Sequence, residues 1–184
     1  MSALETLRQS LPDYARDIKL NLGSLLGPDG APELTPAQKW GSALAAAIAS
    51  RNVPLAQAIE QDALAATDAK IVEAAKTAAT IMAMTNVYYR AIHMTDDQEL
   101  SRLPAGLRMN GLAKHGIAQA DFELFGLAAS AVKGCEGCTK AHVAGARKHD
   151  VTVQAVQAVL RIAAVVHAAA TVLDMAAAPQ ASAA

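Results

Sequence analysis

The chain has 184 residues, of which 53% are hydrophobic, 18% are charged and 3% are aromatic. This length and hydrophobic content suffice for one domain with a substantial core and exclude a disordered chain. The formal net charge of -1, without a run of Lys or Arg, excludes the basic surface expected of a nucleic-acid-binding protein. Because the apolar content is mostly Ala, Leu, Val, Ile and Met, the composition predicts an all-α protein of closely packed helices.

Helix-start signals divide the first half of the chain into five predicted helices. Ser2 begins the first with a capping box, and Pro12 occupies the first turn of the second. A loop rich in Gly and Pro follows, and Thr35 then caps the third helix, while Thr67 caps the fifth. The five helices are predicted to cover about residues 3–9, 12–26, 36–50, 52–65 and 68–93.

The second half is predicted to begin with a polar linker and to continue with helices. The linker covers residues 96–106, and a short helix over residues 107–113 ends at Lys114-His115-Gly116. Three further helices are predicted over about residues 118–132, 135–148 and 152–177. No alternating strand pattern competes with them. We therefore expect a single all-α domain over residues 1–177, followed by a flexible alanine-rich tail, residues 178–184.

A weak internal repeat appears at an offset of 85 residues. Gln-Lys-Trp-Gly at 38–41 is similar to Glu-Leu-Phe-Gly at 123–126, and each is followed by an alanine-rich helix and a break. Two related helical halves, about residues 36–94 and 118–177, would explain the pattern, and so would a chance similarity of alanine-rich helices. In the first copy, Ser50 and Val53 take the places of Cys135 and Cys138.

The compartment is predicted from the absence of targeting and membrane-spanning patterns. The chain starts without the charged and then apolar pattern of a secretory signal. The longest near-apolar stretch, residues 162–173, is too short to span a bilayer. We therefore expect a cytoplasmic protein with no membrane partner. In that reducing compartment a Cys-x-x-Cys pair indicates redox or metal chemistry more often than a structural disulfide.

The two cysteines lie in Gly-Cys-Glu-Gly-Cys-Thr-Lys-Ala-His, residues 134–142. On a helix, Cys135, Cys138 and His142 would lie within about 60° of one another and share one face. Gly134 is suited to ending the preceding helix, which leaves Cys135 at the N-terminus of the next, where the helix dipole favours a thiolate. The pair can close a disulfide suited to exchange, and His142 is placed to deprotonate Cys138.

Glu123 is the fourth candidate site residue. It precedes Cys135 by twelve residues and faces back toward the cysteines if the two helices form a hairpin. A carboxylate there could orient His142 or pass protons through it. An exposed carboxylate in the first helical turn, serving only the helix dipole, fits the spacing equally well.

Two other interpretations of the motif remain open at this point. Both cysteines could be small apolar residues of the core, although this spacing rarely arises by chance. Cys135, Cys138 and His142, with Glu123 as a fourth ligand, could also bind zinc. Structural zinc sites usually draw their ligands from two separated pairs, and the chain has no further cysteine. We therefore favour redox chemistry without a metal.

Two further histidines are considered as part of the site or the core. His167 lies on the apolar last helix, where a hydrogen-bonded core position is expected and an approach to the thiols is the alternative. His115 is expected in a loop beside Gly116.

The order Glu123-x11-Cys135-x2-Cys138-x3-His142 resembles the signature of AhpD-type alkylhydroperoxidases, which belong to the carboxymuconolactone decarboxylase-like superfamily. Residues 11–22, 84–90, 107–110 and 121–124 are also similar to that family, so the resemblance covers nearly the whole chain. It departs at Gly137, where well-matched members carry a histidine.

The resemblance implies an all-α fold of two related helical halves, assembled as a homotrimer, and a thiol-dependent peroxidase without haem or another bound cofactor. It implies that Cys138 attacks an organic hydroperoxide or hydrogen peroxide and that Cys135 then forms a disulfide with it. Glu123 and His142 would form a proton relay through water. The reductant would be a dihydrolipoyl group on a carrier protein, supplied by a flavin-dependent dehydrogenase and NADH.

Two other functions remain as alternatives. The first is a general protein disulfide oxidoreductase, which would use the same dithiol without a peroxide. The second is a carboxymuconolactone decarboxylase-like enzyme or a binder of a small ligand, for which two thiols have no use.

Overall fold

The computed structural model describes residues 1–177, so the predicted flexible tail, residues 178–184, lies outside the described residues. The helices are α1 (Ala3–Gln9), α2 (Arg16–Leu26), α3 (Pro36–Ser50), α4 (Val53–Ala66), α5 (Ala69–Thr95), α6 (Gln98–Arg102), α7 (Gln119–Lys133), α8 (Glu136–Lys148) and α9 (Val153–Ala177). Short 3₁₀ turns occur at Asp13–Ala15 and Asn110–Leu112. No strand occurs within this part of the chain, and the all-α prediction is confirmed.

Two predicted helix starts and one predicted linker in the first two-thirds of the chain are wrong. Pro12 precedes a 3₁₀ turn, and α2 begins only at Arg16. Thr67 ends α4, whereas the Asp68 carboxylate caps α5 by accepting a hydrogen bond from Lys70 N–H. The predicted linker contains α6, because Asp97 accepts hydrogen bonds from two backbone N–H groups of its first turn.

The prediction of a short helix over residues 107–113 is also wrong. This segment contains a 3₁₀ turn at Asn110–Leu112 and no α-helix. This segment lies against α5 at Gly111, where an added Cβ would be 2.7 Å from Ile81 Cδ1 and 2.8 Å from Thr77 Cγ2. Contact with a distant helix therefore takes precedence over the local helix preference of the segment.

Two central helices, α3 and α7, pack against each other, and α5 and α9 each pack against both. Small residues permit this close approach, and the α3 residues Ala43, Leu44, Ala45, Ala46 and Ala47 are fully buried. At the tightest point, an added Cβ on Gly41 of α3 would lie 2.1 Å from Cζ of the buried Phe125 of α7. The alanine-rich, aromatic-poor composition therefore has a packing explanation.

The helix pairs α3–α4 and α7–α8 are joined by breaks of the same geometry. Arg51 and Gly134 end the first helix of each pair in the left-handed region, with φ of 66° and 64°. Asn52 and Cys135 then cap the second helix, each by accepting a hydrogen bond from the backbone N–H three residues later. Asn52, rather than Ser50, is thus the counterpart of Cys135, at an offset of 83 residues, and the internal repeat itself stays a prediction.

The last helix has its predicted bounds to within one residue, but its apolar stretch is longer than predicted. Within residues 1–177, α9 is the one helix long and apolar enough to cross a membrane, so the estimate of a shorter apolar stretch was wrong. However, α9 packs against α2, α3 and α7 and buries Val159, Ile162 and Val166. The core of this fold therefore accounts for its apolar face.

The contact between Gly41 and Phe125 generates a stability prediction with a matched control. We expect Gly41→Ala to lower the free energy of unfolding by about 1–3 kcal/mol, because the buried ring must move to admit a methyl group. Gly137 also lies in a helix, but nothing lies within 4 Å of its added Cβ. We expect Gly137→Ala to raise the free energy by about 0.5–1 kcal/mol. Urea denaturation of the oxidised protein measures both, and equal stability of the two variants would contradict the packing argument.

Candidate active site

The turn between α7 and α8 places both cysteines at the start of α8. Gly134 adopts a φ of 64°, and Cys135 N–H donates to Ser130 O at 3.2 Å, which closes the end of α7. Cys135 is the N-cap of α8, and its Sγ accepts a hydrogen bond from Cys138 N–H at 3.4 Å. The predicted position of the Cys-x-x-Cys pair at a helix N-terminus is therefore confirmed.

The two cysteines form a disulfide, with their Cα atoms 5.4 Å apart, but they differ in their surroundings. Cys135 is 1% exposed and Cys138 is 8% exposed. Cys138 lines a cavity of about 460 Å³, and Cys135 is not part of its wall. A small molecule in this cavity would therefore meet Cys138 first.

The cavity has a largely apolar wall. Besides Cys138 and His142, it is lined by Met82, Thr85, Tyr89, Met109, Leu112 and Ala141. These residues come from α5, from the segment before α7 and from α8, so the cavity exists only in the folded chain. Apart from Cys138 and His142, the lining has no side chain that ionises near neutral pH, and it suits a small molecule with an apolar body.

Glu123 and His142 form a partly buried pair across α7 and α8. His142 Nδ1 lies 2.7 Å from Glu123 Oε2, and the two side chains are 13% and 18% exposed. Gln119 Nε2 donates to the other carboxylate oxygen at 2.8 Å. Glu123 is therefore the orienting carboxylate of the relay geometry, and the alternative of an exposed first-turn carboxylate is wrong.

The ionisation of Glu123 follows from its partners. Burial raises the pKa of this carboxyl, but the hydrogen bonds from His142 and Gln119 outweigh burial and hold the pKa below its usual value. The group is consequently a carboxylate at neutral pH and can only accept hydrogen bonds. The Nδ1 atom of His142 must therefore carry a proton.

The other ring nitrogen of His142 does not face Cys138. Nε2 lies 3.0 Å from Met82 Sδ, and among residues 1–177 it makes no hydrogen bond to Cys138. In this disulfide form Cys138 has no proton to give, so the predicted deprotonation of Cys138 by His142 stays a prediction. With the Nδ1 proton held by Glu123, Nε2 carries a lone pair when the ring is neutral and donates a hydrogen bond to Met82 Sδ only when the ring is protonated.

Two glycines make room for this pair. An added Cβ on Gly126 of α7 would lie 2.5 Å from His142 Cε1, and one on Gly145 of α8 would lie 2.6 Å from Glu123 Cδ. The glycine of α7 therefore leaves room for His142 of α8, and the glycine of α8 leaves room for Glu123 of α7.

A hydrogen-bonded chain extends the relay beyond Glu123. His115 Nε2 donates to Gln119 Oε1 at 2.9 Å, because His115 Nδ1 accepts a hydrogen bond from Ile117 N–H at 3.4 Å. The His115 ring also stacks on Phe122, with ring centroids 4.2 Å apart. Gln119 was not predicted as a site residue from the sequence, although the four-residue spacing of His115, Gln119 and Glu123 could have indicated it.

Met82 is the other site residue that was not predicted from the sequence. It lies on α5, sixty residues before His142. No spacing rule connects a methionine on one helix to a histidine on another, so the sequence carries no signal for this contact.

The charged residues beside the cysteines are partly neutralised. Glu136 forms an ion pair with Lys140, and this hydrogen bond lowers the pKa of Glu136. Burial lowers the pKa of Lys133, and the nearby charges of Arg51 and Arg90 lower it further. The surroundings of Lys133 thus disfavour its charged form, and the charge of Lys140 is largely offset by Glu136.

The remaining candidates lie outside the site. His167 is exposed, and its Nδ1 contacts Ser50 Oγ at 3.1 Å, so neither a core position nor an approach to the thiols is correct. The apolar face of α9 is formed by other residues, and His167 lies on its solvent side.

In the described part of the chain, no three side chains of His, Cys, Asp or Glu come together in the way that zinc requires.

Comparison with known proteins identifies relatives over the full chain. The carboxymuconolactone decarboxylase family model matches residues 98–181. The alkyl hydroperoxide reductase AhpD of Anaeromyxobacter dehalogenans (strain 2CP-C) is 50% identical over 187 residues, covering 100% of this chain and 99% of that protein. The AhpD of Rhodospirillum centenum is 46% identical, covering 94% of this chain and 91% of its own. That of Brucella suis is 41% identical, covering 95% and 98%.

The family model covers the half of the chain that contains α7, α8 and both cysteines, while the relatives extend the match to the first half. The chain therefore belongs to the AhpD-type alkylhydroperoxidases of the carboxymuconolactone decarboxylase superfamily.

Proposed function

We propose that this protein is a thiol-dependent peroxidase that reduces organic hydroperoxides, and hydrogen peroxide more slowly, through Cys138 and Cys135. The observation that carries the proposal is the partly buried Glu123–His142 pair beside the cysteine disulfide, with Cys138 in the wall of an apolar cavity. The relatives named alkyl hydroperoxide reductase support it.

The first step activates the reduced Cys138. The Glu123 carboxylate holds the Nδ1 proton of His142, which leaves Nε2 free to take the thiol proton. Since Nε2 contacts Met82 rather than Cys138, a water molecule in the shared cavity carries the proton. The N-terminus of α8 stabilises the resulting thiolate.

The second step reduces the peroxide and oxidises the two cysteines. The Cys138 thiolate attacks one peroxide oxygen, so that an S–O bond forms and the O–O bond breaks. The alkoxide takes the proton from His142 Nε2 and leaves as an alcohol. The Cys135 thiol then attacks the Cys138 sulfenic acid, forming the disulfide of this structure and releasing water.

The third step returns the disulfide to two thiols. We propose a dihydrolipoyl group on a carrier protein as the reductant, fed by a flavin-dependent dehydrogenase and NADH, acting on a cytoplasmic homotrimer. Burial of both cysteines supports a slender reducing group over a broad protein surface. The same burial counts against the alternative of a general protein disulfide oxidoreductase, which must dock folded partners on its thiols.

The proposed activity is tested by NADH oxidation in the presence of cumene hydroperoxide, the flavin dehydrogenase and a lipoylated carrier protein. We expect steady turnover with wild-type protein and none with Cys138→Ser, because that variant has no attacking thiolate. Cys135→Ser should form a sulfenic acid that dimedone traps, since the resolving thiol is gone.

Two controls separate the parts of this proposal. An unlipoylated carrier should support no turnover, whereas a small dithiol should restore it. Turnover by Cys138→Ser would refute the thiol mechanism, and turnover with the unlipoylated carrier would refute the proposed reductant.

The relay predicts that Glu123 and His142 act as one unit. We expect Glu123→Gln and His142→Phe each to lower kcat/KM by about 10²–10⁴-fold, because each removes the proton transfer. The double variant should lose little more than the worse single variant. His167→Phe, on the exposed side of α9, is the control and should change little. Multiplicative losses in the double variant would show that the two residues act separately.

The hydrogen bond from Gln119 predicts a change in the titration of Glu123. Gln119→Leu removes one of the two hydrogen bonds that lower the pKa of Glu123, so this pKa should rise. Carbon NMR of labelled glutamate carboxyls measures the shift, and the Glu123→Gln spectrum assigns the signal. Glu136, whose pKa is lowered by Lys140, is the internal control and should not move.

The sign of the linked stability change follows from the same pKa. Because the folded pKa of Glu123 is lowered, its carboxylate stabilises the fold above the unfolded pKa of about 4.3, and this contribution is lost as the pH falls through the folded value. In Gln119→Leu the Glu123 carboxylate should stabilise the fold less than in the wild-type protein. As the pH falls, this smaller contribution should be lost completely at a higher pH. An unchanged Glu123 titration in Gln119→Leu would contradict the assigned cause.

A further inference from the structure

Met82 connects the proton relay to the cavity. Its sulfur lies 3.0 Å from His142 Nε2 and accepts a hydrogen bond from Thr85 Oγ1 at 3.6 Å. The side chain is 3% exposed, yet it lines the same cavity as Cys138. A molecule that reaches Cys138 through this cavity therefore also reaches a thioether held against the relay histidine.

We propose that Met82 is a second oxidation site, at which a hydroperoxide bound in the cavity converts the thioether to methionine sulfoxide. The inference rests on the proposed function, since it requires a hydroperoxide in the cavity. It concerns a residue to which the peroxidase cycle assigns no chemistry, and it predicts a slow side reaction of the enzyme with its own substrate.

The side reaction needs no reagent beyond the hydroperoxide. A lone pair of Met82 Sδ attacks the terminal peroxide oxygen, so that an S–O bond forms and the O–O bond breaks. When the His142 ring is protonated, the alkoxide takes the Nε2 proton and leaves as an alcohol, and the ring regains the proton of the transferred hydroxyl group. The sulfur loses two electrons, and the peroxide gains them.

His142 is the reason to expect selectivity for Met82. The chain has six methionines, and Met94 and Met175 are 77% and 69% exposed. Exposure alone would make those two, and Met1 at 95% exposed, oxidise first. Met82 instead has His142 Nε2, which is a proton donor when the ring is protonated, 3.0 Å from its sulfur, and a cavity that concentrates an apolar peroxide beside it.

Oxidation at Met82 should slow the enzyme. A sulfoxide oxygen is a much stronger hydrogen-bond acceptor than a thioether, and it would form next to His142 Nε2. It would hold the Nε2 proton that the relay must exchange with Cys138. The modification would also put a polar group into a cavity whose walls are mostly apolar.

The test is to measure the oxidation of each methionine in Cys138→Ser, which cannot consume peroxide through the proposed cycle. The variant is incubated with cumene hydroperoxide, and mass spectrometry of tryptic peptides follows each sulfoxide, with fragment ions separating Met82 from Met84. We expect the Met82 sulfoxide to form about tenfold faster than those of Met94 and Met175. A Met82 rate equal to or below theirs would overturn the proposal.

A second variant tests the role of the histidine. Adding His142→Phe to Cys138→Ser should lower the Met82 rate to that of Met109, which lines the same cavity, and leave Met94 and Met175 unchanged. If His142→Phe leaves the rate of Met82 sulfoxide formation unaltered, the proposed role of His142 as proton donor is refuted. In urea-unfolded protein all sites should react alike, and a persisting excess at Met82 would show that the folded cavity is not the cause.

Turnover by the wild-type protein separates this inference from the proposed function. If wild-type protein consumes peroxide but the Met82 sulfoxide does not form faster than the others in Cys138→Ser, the inference fails and the peroxidase function stands. If wild-type protein consumes none, the peroxidase function fails, and the methionine rates in Cys138→Ser still decide whether the cavity directs peroxide to Met82.

Discussion

The candidate site depends on one hydrogen bond, between the Glu123 carboxylate and the His142 imidazole. Burial by itself would raise the pKa of the carboxyl and could leave it neutral, but two hydrogen bonds reverse that effect. The pair joins α7 to α8 and fixes which ring nitrogen carries a proton. Gly126 and Gly145 leave the space in which the two side chains meet.

Small residues have the same role in the rest of the fold. Gly41 admits the ring of Phe125 between the two central helices, and alanines fill most of the buried face of α3. The close approach of backbones leaves little room for large side chains in the core, which agrees with an aromatic content of 3%.

The turn that presents the cysteines also occurs without them. Asn52 caps α4 through its side-chain oxygen in the same way that Cys135 caps α8 through its sulfur. The left-handed residue before each cap is Arg51 in one turn and Gly134 in the other. The turn is thus a general device for joining two helices, and its redox chemistry comes from the sulfurs and from the relay on α7 and α8.

The two cysteines and the methionine show how access divides chemical roles within one site. Cys138 and Met82 share the cavity wall, whereas Cys135 lies behind it and is 1% exposed. A reagent in the cavity meets two sulfurs, of which the ionisable thiol is much the better nucleophile. The contact between Met82 and His142 places the slower-reacting sulfur where it can interfere with the faster one.

The sequence determined the all-α class, most helix bounds and the position of the cysteines at a helix start, and it singled out Glu123 and His142 as candidate site residues. These follow from local rules, since caps, glycine breaks and helical spacing act over a few residues. Even the turn at Gly134 could be predicted, because a left-handed residue there needs only its neighbours.

Only the tertiary structure decided how those residues meet. It showed that Glu123 is partly buried on His142, that Nε2 faces Met82 rather than Cys138, and that the cavity reaches just one of the cysteines. It also placed His167 on an exposed face and Gly111 against α5. Each of these depends on how helices far apart in the chain pack together, and a local pattern carries no information about such packing.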